Sequence, residues 1–382
     1  MAPVALTVVL VMRVAAPFIQ FRVFQVYKHR IGHLALETEL AALDSKYNSQ
    51  KDKRTVTIFY FPDIAPANFQ LNNMYRRKLI SVFGNWGWLL NELSKLFKNM
   101  NISSQRTTID FNGLLLKSKP ILEFTSEESK HSDIKLLNLE PDQKFVCLHV
   151  RDNAFFSKTL GIQNHQTLRN TNIKTYLKAA EVLANLGYTV FRTGAVVQET
   201  LTSTNPRIID YATNGMRTDF LDIYLAHNAT FVVSTASGWD SVPTIFRRPI
   251  LKVNVIPVFQ IDCLGFSHLI VPKILCDSRS KEPLSIGEII NREIESVLDA
   301  EMYKNVGVEI RDLSSEELVE AVTEMAQRVA GTFVETAEQK EMQAKLKHIL
   351  STHPKLQPSP NHYPIRAQFA SCFLSRYPNF LD

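Results

Sequence analysis

Between Thr230 and Pro257 the chain reads as a strand, a turn of small residues, a helix and a second strand, and the rest of the chain is organised around this unit. The apolar run Phe231 to Val233 stops at Ser234-Thr235-Ala236-Ser237-Gly238. Trp239 to Phe246 then continues as a helix, with Pro243 tolerated in its first turn, and Ile250 to Ile256 forms the next strand. A turn of this kind aims backbone N–H groups and hydroxyls at one spot with the positive end of a helix dipole behind them, which suits an anion. The same Ser and Thr side chains would equally serve as helix caps. The segment alone supports both readings.

The alternation extends upstream. Lys144 to Val150 reads as a buried strand, Ile173 to Leu186 as a helix closed by Gly187, and Tyr188 to Arg192 as a strand ending at Thr193-Gly194. Pro206 to Tyr211 is a short strand and Thr218 to His227 a helix. An earlier series places a strand at Thr55 to Phe61 and helices around Asn72 to Ser81 and Trp86 to Asn99. The polar stretch from Asn101 to Glu140 separates the two series. Helices at Ser285 to Leu298, Ser314 to Ala330 and Ala337 to Leu350 follow, the second opened by Ser314 and Glu317 in capping-box spacing. The expected fold class is α/β with parallel sheets. The expected layout is an apolar N-terminal helix over 1–26, one α/β domain over 27–140, a second over 141–300 and a helical extension over 301–382. A chain of 382 residues, 45% hydrophobic, is ample for two cores.

Net charge of +5 is mild for this length and its basic residues are dispersed, which argues against nucleic acid as a partner and suits an anionic small molecule or a membrane surface. Cys147, Cys263, Cys276 and Cys372 form no CxxC pair and lie mostly in apolar runs, so they read as buried thiols in a reducing, cytoplasmic setting with no zinc site. Met1 to Phe21 is almost wholly apolar, broken by Arg13 and by Pro3 and Pro17. It is too short before its first charge to span a bilayer. The fitting alternatives are an interfacial helix at the inner face of the cytoplasmic membrane, with Arg13 and Arg22 reaching for head groups, and a buried first helix packed on the body of the protein.

The chemistry-bearing residues gather at strand ends. His149 and Arg151 follow Cys147 with a period of two, so they share a face at the tip of a buried strand. An arginine there needs an anion or a carboxylate, a phosphate or one of Asp219 and Asp222. Arg192 ends the next strand beside Gly194. With Ser234, Thr235, Ser237 and Gly238 these residues are expected to converge on one crevice. Asp219 and Asp240 read equally as local caps. His33, in the turn Arg30-Ile31-Gly32-His33, is the candidate general base, with a capping role as its alternative. The chain has no GxSxG elbow, no Walker loop, no GxGxxG and no Asp-x-Asp.

As a set, Arg30-Ile31-Gly32-His33, Ala67-Asn68-Phe69-Gln70-Leu71 with Met74 and Arg77, Leu148-His149-Val150-Arg151-Asp152, Arg192-Thr193-Gly194 and Ser234-Thr235-Ala236-Ser237-Gly238 resemble an uncharacterised bacterial family described as glycosyltransferases of surface-polysaccharide loci. More distantly, His149-x-Arg151 resembles the donor-binding element of GDP-fucose-using fucosyltransferases. The Ser237-Gly238 turn resembles the diphosphate turn of GT-B enzymes, including heptosyltransferases. The resemblance implies a GT-B-like pair of Rossmann-like domains facing a central cleft, with a nucleotide-diphosphate sugar held by the second and a glycan or lipid-linked acceptor by the first. It also implies no metal and no cofactor beyond the nucleotide-sugar co-substrate. Two positions depart from the pattern: Thr193 stands where the family has Met, and Asp152 where the fucosyltransferase motif has a second Arg. The expected roles are catalysis by His33 and Arg151, and donor binding by His149, Arg151, Arg192, Gly194, Ser234, Thr235, Ser237 and Gly238. A sugar-nucleotide epimerase of the UDP-GlcNAc 2-epimerase kind and a non-catalytic sugar-nucleotide-binding protein at the membrane are the alternatives.

Overall fold

The computed structural model of the chain describes residues 2–51, 54–105, 107–154, 157, 167–258, 268–353 and 368–382. The chain divides into two units. One comprises Met1–Ile134, Asp219–His227 and Gly238–Arg247; the other comprises Lys135–Thr218, Asn228–Ser237 and Arg248–Asp382.

The first unit is built on a three-stranded parallel sheet of β1 (Ile19–Gln25), β2 (Arg54–Phe61) and β3 (Ser81–Phe83), in that order. The apolar N-terminal stretch is therefore not one helix. A helix covers Ala2–Val14 and stops short of Pro17, which cannot continue it, and Ile19–Gln25 pairs residue for residue with Arg54–Tyr60. Helix Phe69–Lys78 begins three residues earlier than its apolar period indicates, because the Asn68 side chain accepts the Leu71 N–H and so caps it. Helix Gly84–Ser94 packs against the N-terminal helix through a cluster containing Val9 and Leu90.

The first unit also takes in two helical segments from late in the chain. Helix Asp219–Asn228 is tied to it where the Asp219 carboxylate accepts the Phe69 N–H at 2.6 Å and the Asp219 carbonyl accepts from the Asn68 side chain at 2.9 Å. Asp219 thus caps a helix 150 residues away in sequence.

The second unit holds a seven-stranded parallel sheet: β4 (Phe145–His149), β5 (Thr189–Thr193), β6 (Ile208–Ile209), β7 (Phe231–Ser234), β8 (Ile250–Val255), β9 (Leu269–Pro272) and β12 (Gln368–Phe369). Their spatial order is β12-β9-β8-β7-β4-β5-β6. Numbered along the chain, that is the doubly wound order 3-2-1-4-5-6 with one strand added beyond the sixth. The strands are buried on both faces, which is why they are mainly apolar; β5 and β8 also bury Arg192, Lys252 and Asn254. Helices Leu177–Asn185 and Ser315–Ala330 pack together, the latter opened by the expected Ser314–Glu317 capping box. After helix Ala337–Thr352 the chain returns to the sheet as β12 and buries Phe369, Phe373 and Leu374 in the same core. An antiparallel pair of β10 (Ile274–Asp277) with β11 (Val308–Arg311), joined through two short helices, also belongs to the unit.

Of the cysteines, Cys147 and Cys276 are buried and Cys372 is half-buried, and no disulfide joins them. Cys263 lies outside the described residues, as does most of the Pro-rich segment after His353.

Candidate functional site

The seven-stranded sheet changes direction at β4. Going along the chain, strands add on one side of β4 as β5 and β6, and then on the other as β7, β8 and β9. At such a switch point the loops leaving neighbouring strands part in opposite directions and open a crevice at their carboxyl ends. His149, Val150 and Arg151 stand at that position. His149 is in register with Thr193 of β5 on one side and Ser234 of β7 on the other. The two strand tips are tied to each other, with the Thr235 N–H donating to the His149 carbonyl at 3.2 Å and the Arg151 N–H donating to the Thr235 hydroxyl at 2.9 Å. The sheet thus brings His149, Arg151, Ser234 and Thr235 together, as the sequence suggests.

Arginine charges act on both His149 and Arg151. Desolvation, together with the charge of Arg169, lowers the Arg151 guanidinium to about 10. It stays a cation at neutral pH, and an anion between the two arginines would relieve their repulsion. His149 is pushed down to about 3, first by desolvation and then by Arg192 and Arg151. It is a neutral imidazole, with Nδ1 3.1 Å from the Thr193 hydroxyl. It can exchange hydrogen bonds with a ligand but brings no charge.

Arg192 departs from the expected placement. In register it lies opposite Leu148, whereas Thr193 lies opposite His149, so alternation puts Arg192 on the other face of the sheet from His149. It is 0% exposed and bonds Asp210 at 3.1 Å, while its Nε and Nη2 have no hydrogen-bond partner among the described residues. Asp210 also accepts the Leu201 N–H and the Thr213 hydroxyl, so the pair fastens the loop around β6. Gly194 follows with φ of 159°, and a Cβ there would stand 2.5 Å from Val197 Cγ1, a steric reason for glycine.

Ser237 and Gly238 mark the point where the chain passes from one unit to the other. Ala236 adopts φ of 56°, a single 3₁₀ turn covers Gly238–Asp240, and the helix proper is only Ser241–Ile245. Five residues sum to a small dipole, so the macrodipole part of the anion argument loses force. In the first unit Gly238 lies directly against Gly32, the residue before His33.

His33 opens a π-helical turn, His33–Glu37, that runs into helix Thr38–Lys51. The turn aligns His33 Nδ1 with Glu37 Oε1 at 2.7 Å. Glu37 is buried and also lines a cavity of about 170 Å³ in this unit, together with Phe24, Asp44, Asp110, Phe111 and Asn112. A histidine held by a carboxylate is the arrangement of a general base with its orienting partner. The sequence signal for this pair is the spacing of four between His33 and Glu37, one helical turn. Among the described residues no group of three or more His, Cys, Asp or Glu side chains could hold a metal ion.

Compared by sequence, the chain matches no family model and no curated protein. Compared by structure, it is similar to a glycosyl transferase family 9 protein from Veillonella parvula, with TM-score 0.42 and 10% identity over 81% of this chain and 97% of that one. It is similar to the ADP-heptose LPS heptosyltransferase II of E. coli, with TM-score 0.44 and 10% identity over 81% of this chain and 99% of that one. It is also similar to the UDP-GlcNAc 2-epimerase of Methanocaldococcus jannaschii, with TM-score 0.23 and 7% identity over 78% and 81% of the two chains.

Proposed function

We propose that the protein is a glycosyltransferase that takes its donor, a nucleotide-diphosphate sugar, at the switch point of the seven-stranded sheet. The observation that carries this reading is the coincidence of that switch point with a desolvated arginine: Arg151 leaves β4 where the β5 and β7 loops diverge, with a second guanidinium, Arg169, beside it. A diphosphate offers acceptor oxygens that match the fork geometry of guanidinium.

In this reading Arg151 stabilises the departing diphosphate, where negative charge grows in the transition state. His149, neutral and hydrogen-bonded to Thr193, orients ribose or phosphate without adding charge. Thr235 holds the Arg151 backbone in place, and Ser234, Ser237 and the Gly238 amide line the turn that follows. Arg192 acts indirectly, through the loop that Asp210 anchors. For the acceptor, the cavity beside Glu37 combines carboxylates and an amide with two phenyl rings, a composition suited to one sugar ring of a glycan or lipid-linked acceptor, and His33 is the base that takes the hydroxyl proton. Construction of a surface polysaccharide is the corresponding biological role.

A thermal-shift panel of UDP, GDP, CMP and dTDP sugars tests the donor assignment, since a ligand bound to the native state raises its melting temperature. Stabilisation by one nucleotide family, lost in Arg151→Ala, is the expected result. A panel with no stabilisation would remove the assignment. Product formed without acceptor would replace transfer with epimerisation, and binding without consumption would make the protein a carrier.

A further inference from the structure

We propose that the first unit docks on an anionic lipid surface through one continuous face formed by the N-terminal helix and the segment Ile80 to Trp88. This inference goes beyond the transferase reading and does not depend on it.

The N-terminal helix Ala2–Val14 is apolar on every side apart from Thr7 and Arg13, yet the fold buries only Ala5 and Val9. A helix apolar all round is normally covered all round. Here Val4, Leu10, Val11 and Val14 are left exposed, Val14 at 78%, and Phe18 just beyond the helix is 81% exposed. Helix Gly84–Ser94 packs beside it and adds Trp86 at 42% and Trp88 at 55%, with Ile80 and Phe83 exposed immediately upstream. Scattered exposed apolar residues are ordinary, but so many on two packed helices form a patch that calls for a partner. No helix among the described residues is long and apolar enough to cross a membrane, so the face would lie on a bilayer rather than span it.

Charge selects the partner. From Met1 to Leu36 the chain carries four basic residues and no acidic one, and from Ile64 to Asn91 three basic and no acidic. Of these Arg22 is paired with Asp44 rather than reaching for head groups, Lys28 is buried and Arg77 is held by Glu128, which leaves the charge of the face to Arg13, Arg30, Arg76 and Lys78. Arg13, Arg76 and Lys78 are exposed, Arg76 stacking on Phe83 at 4.1 Å and Lys78 in a long, solvent-exposed ion pair with Glu123 at 3.9 Å. In a two-fold dimer this positive face would meet its own copy, which like charges oppose. An anionic bilayer meets the face with opposite charge, receives the apolar side chains in its interface and seats two tryptophans at head-group depth.

The full chain is tested by flotation with phosphatidylglycerol-containing vesicles and with pure phosphatidylcholine vesicles. Intrinsic fluorescence reads the same event, because two of the three tryptophans are in the patch while Trp239 is buried. The expected result is binding to anionic vesicles with a blue-shifted emission. Trp86→Ser with Trp88→Ser should weaken partition roughly tenfold or more. Arg76→Glu with Lys78→Glu alters only exposed side chains, so it keeps the fold; it should abolish the preference for anionic lipid. Absence of flotation, equal binding to neutral vesicles, unchanged binding of the tryptophan variant, or a stable dimer in solution that buries both tryptophans would each overturn the proposal.

Discussion

Gly32 and Gly238 pack so closely that a Cβ on Gly32 would stand 2.8 Å from the Gly238 carbonyl oxygen. Gly32 has ordinary helical dihedrals, so its requirement for glycine is steric and not conformational. The reverse substitution meets nothing nearer than 3.8 Å. Gly32→Ala should therefore destabilise by about 1–3 kcal/mol through backbone displacement. Gly238→Ala should be neutral or stabilising by up to about 1 kcal/mol. Urea unfolding of the pair checks the asymmetry; equal costs would mean that the two turns do not touch.

Arg151 and Arg192 are expected to fail in different ways. Arg151→Ala should leave the melting temperature unchanged while weakening donor binding by about 2–5 kcal/mol, at least roughly thirty-fold, which calorimetric titration measures.

Arg192→Ala leaves Asp210 without its buried counter-charge and should cost about 3–5 kcal/mol of folding stability. Denaturant titration gives that value. An Arg192→Ala protein as stable as the parent would mean that the loop around β6 is held without the pair.

Glu39 and Arg247 set a pH dependence. The Glu39 side chain is fully buried and bonds Arg247 Nη1 at 3.0 Å, while Arg247 also donates to the Leu115 carbonyl. Desolvation outweighs the arginine and raises the carboxyl from 4.5 to about 7. A native carboxyl that holds its proton more tightly than the unfolded chain does adds stability below about pH 4.5, and this is lost as pH rises through about 7. Melting temperatures from pH 5 to pH 8 should therefore fall more steeply for the parent than for Glu39→Gln. Parallel curves would refute the assignment.

His33→Asn should lower transfer by about 10²–10⁴-fold while donor binding persists. Glu37→Gln should lower it less, because glutamine still accepts a hydrogen bond from Nδ1. Steady-state kinetics beside donor titration separates the two effects.

Much of the second unit was legible because parallel strands covered on both faces are mainly apolar: β4 and β8 lie within the runs that mark them, and β5 and β7 overrun theirs by one residue each, Thr193 and Ser234. β1 carries a short signal of its own, the alternation Ile19-Gln20-Phe21-Arg22-Val23, but it follows an apolar stretch directly and reads as its continuation; its pairing with Arg54–Tyr60 establishes it as a strand. The dipeptide strand β12 carries no periodicity at all; its position beside β9 is given by pairing.

The candidate site divides along the same line. Which side chains stand at strand ends is a local property, and His149 closes β4 where the sequence marks a strand end; Arg151 lies two residues beyond it, fixed by its backbone bond to Thr235. Which face Arg192 occupies beside them depends on the register between β4 and β5, and its partner Asp210 lies 18 residues on. The capping of Phe69 by Asp219 and the contact of Gly32 with Gly238 join residues far apart in sequence. The residue order by itself determined the α/β alternation and the strand ends that carry the polar groups, because backbone preference and side-chain alternation are short-range. Only the tertiary structure decided which of those groups share a face and which are spent on one another, because strand register and helix packing are set by contacts between distant segments.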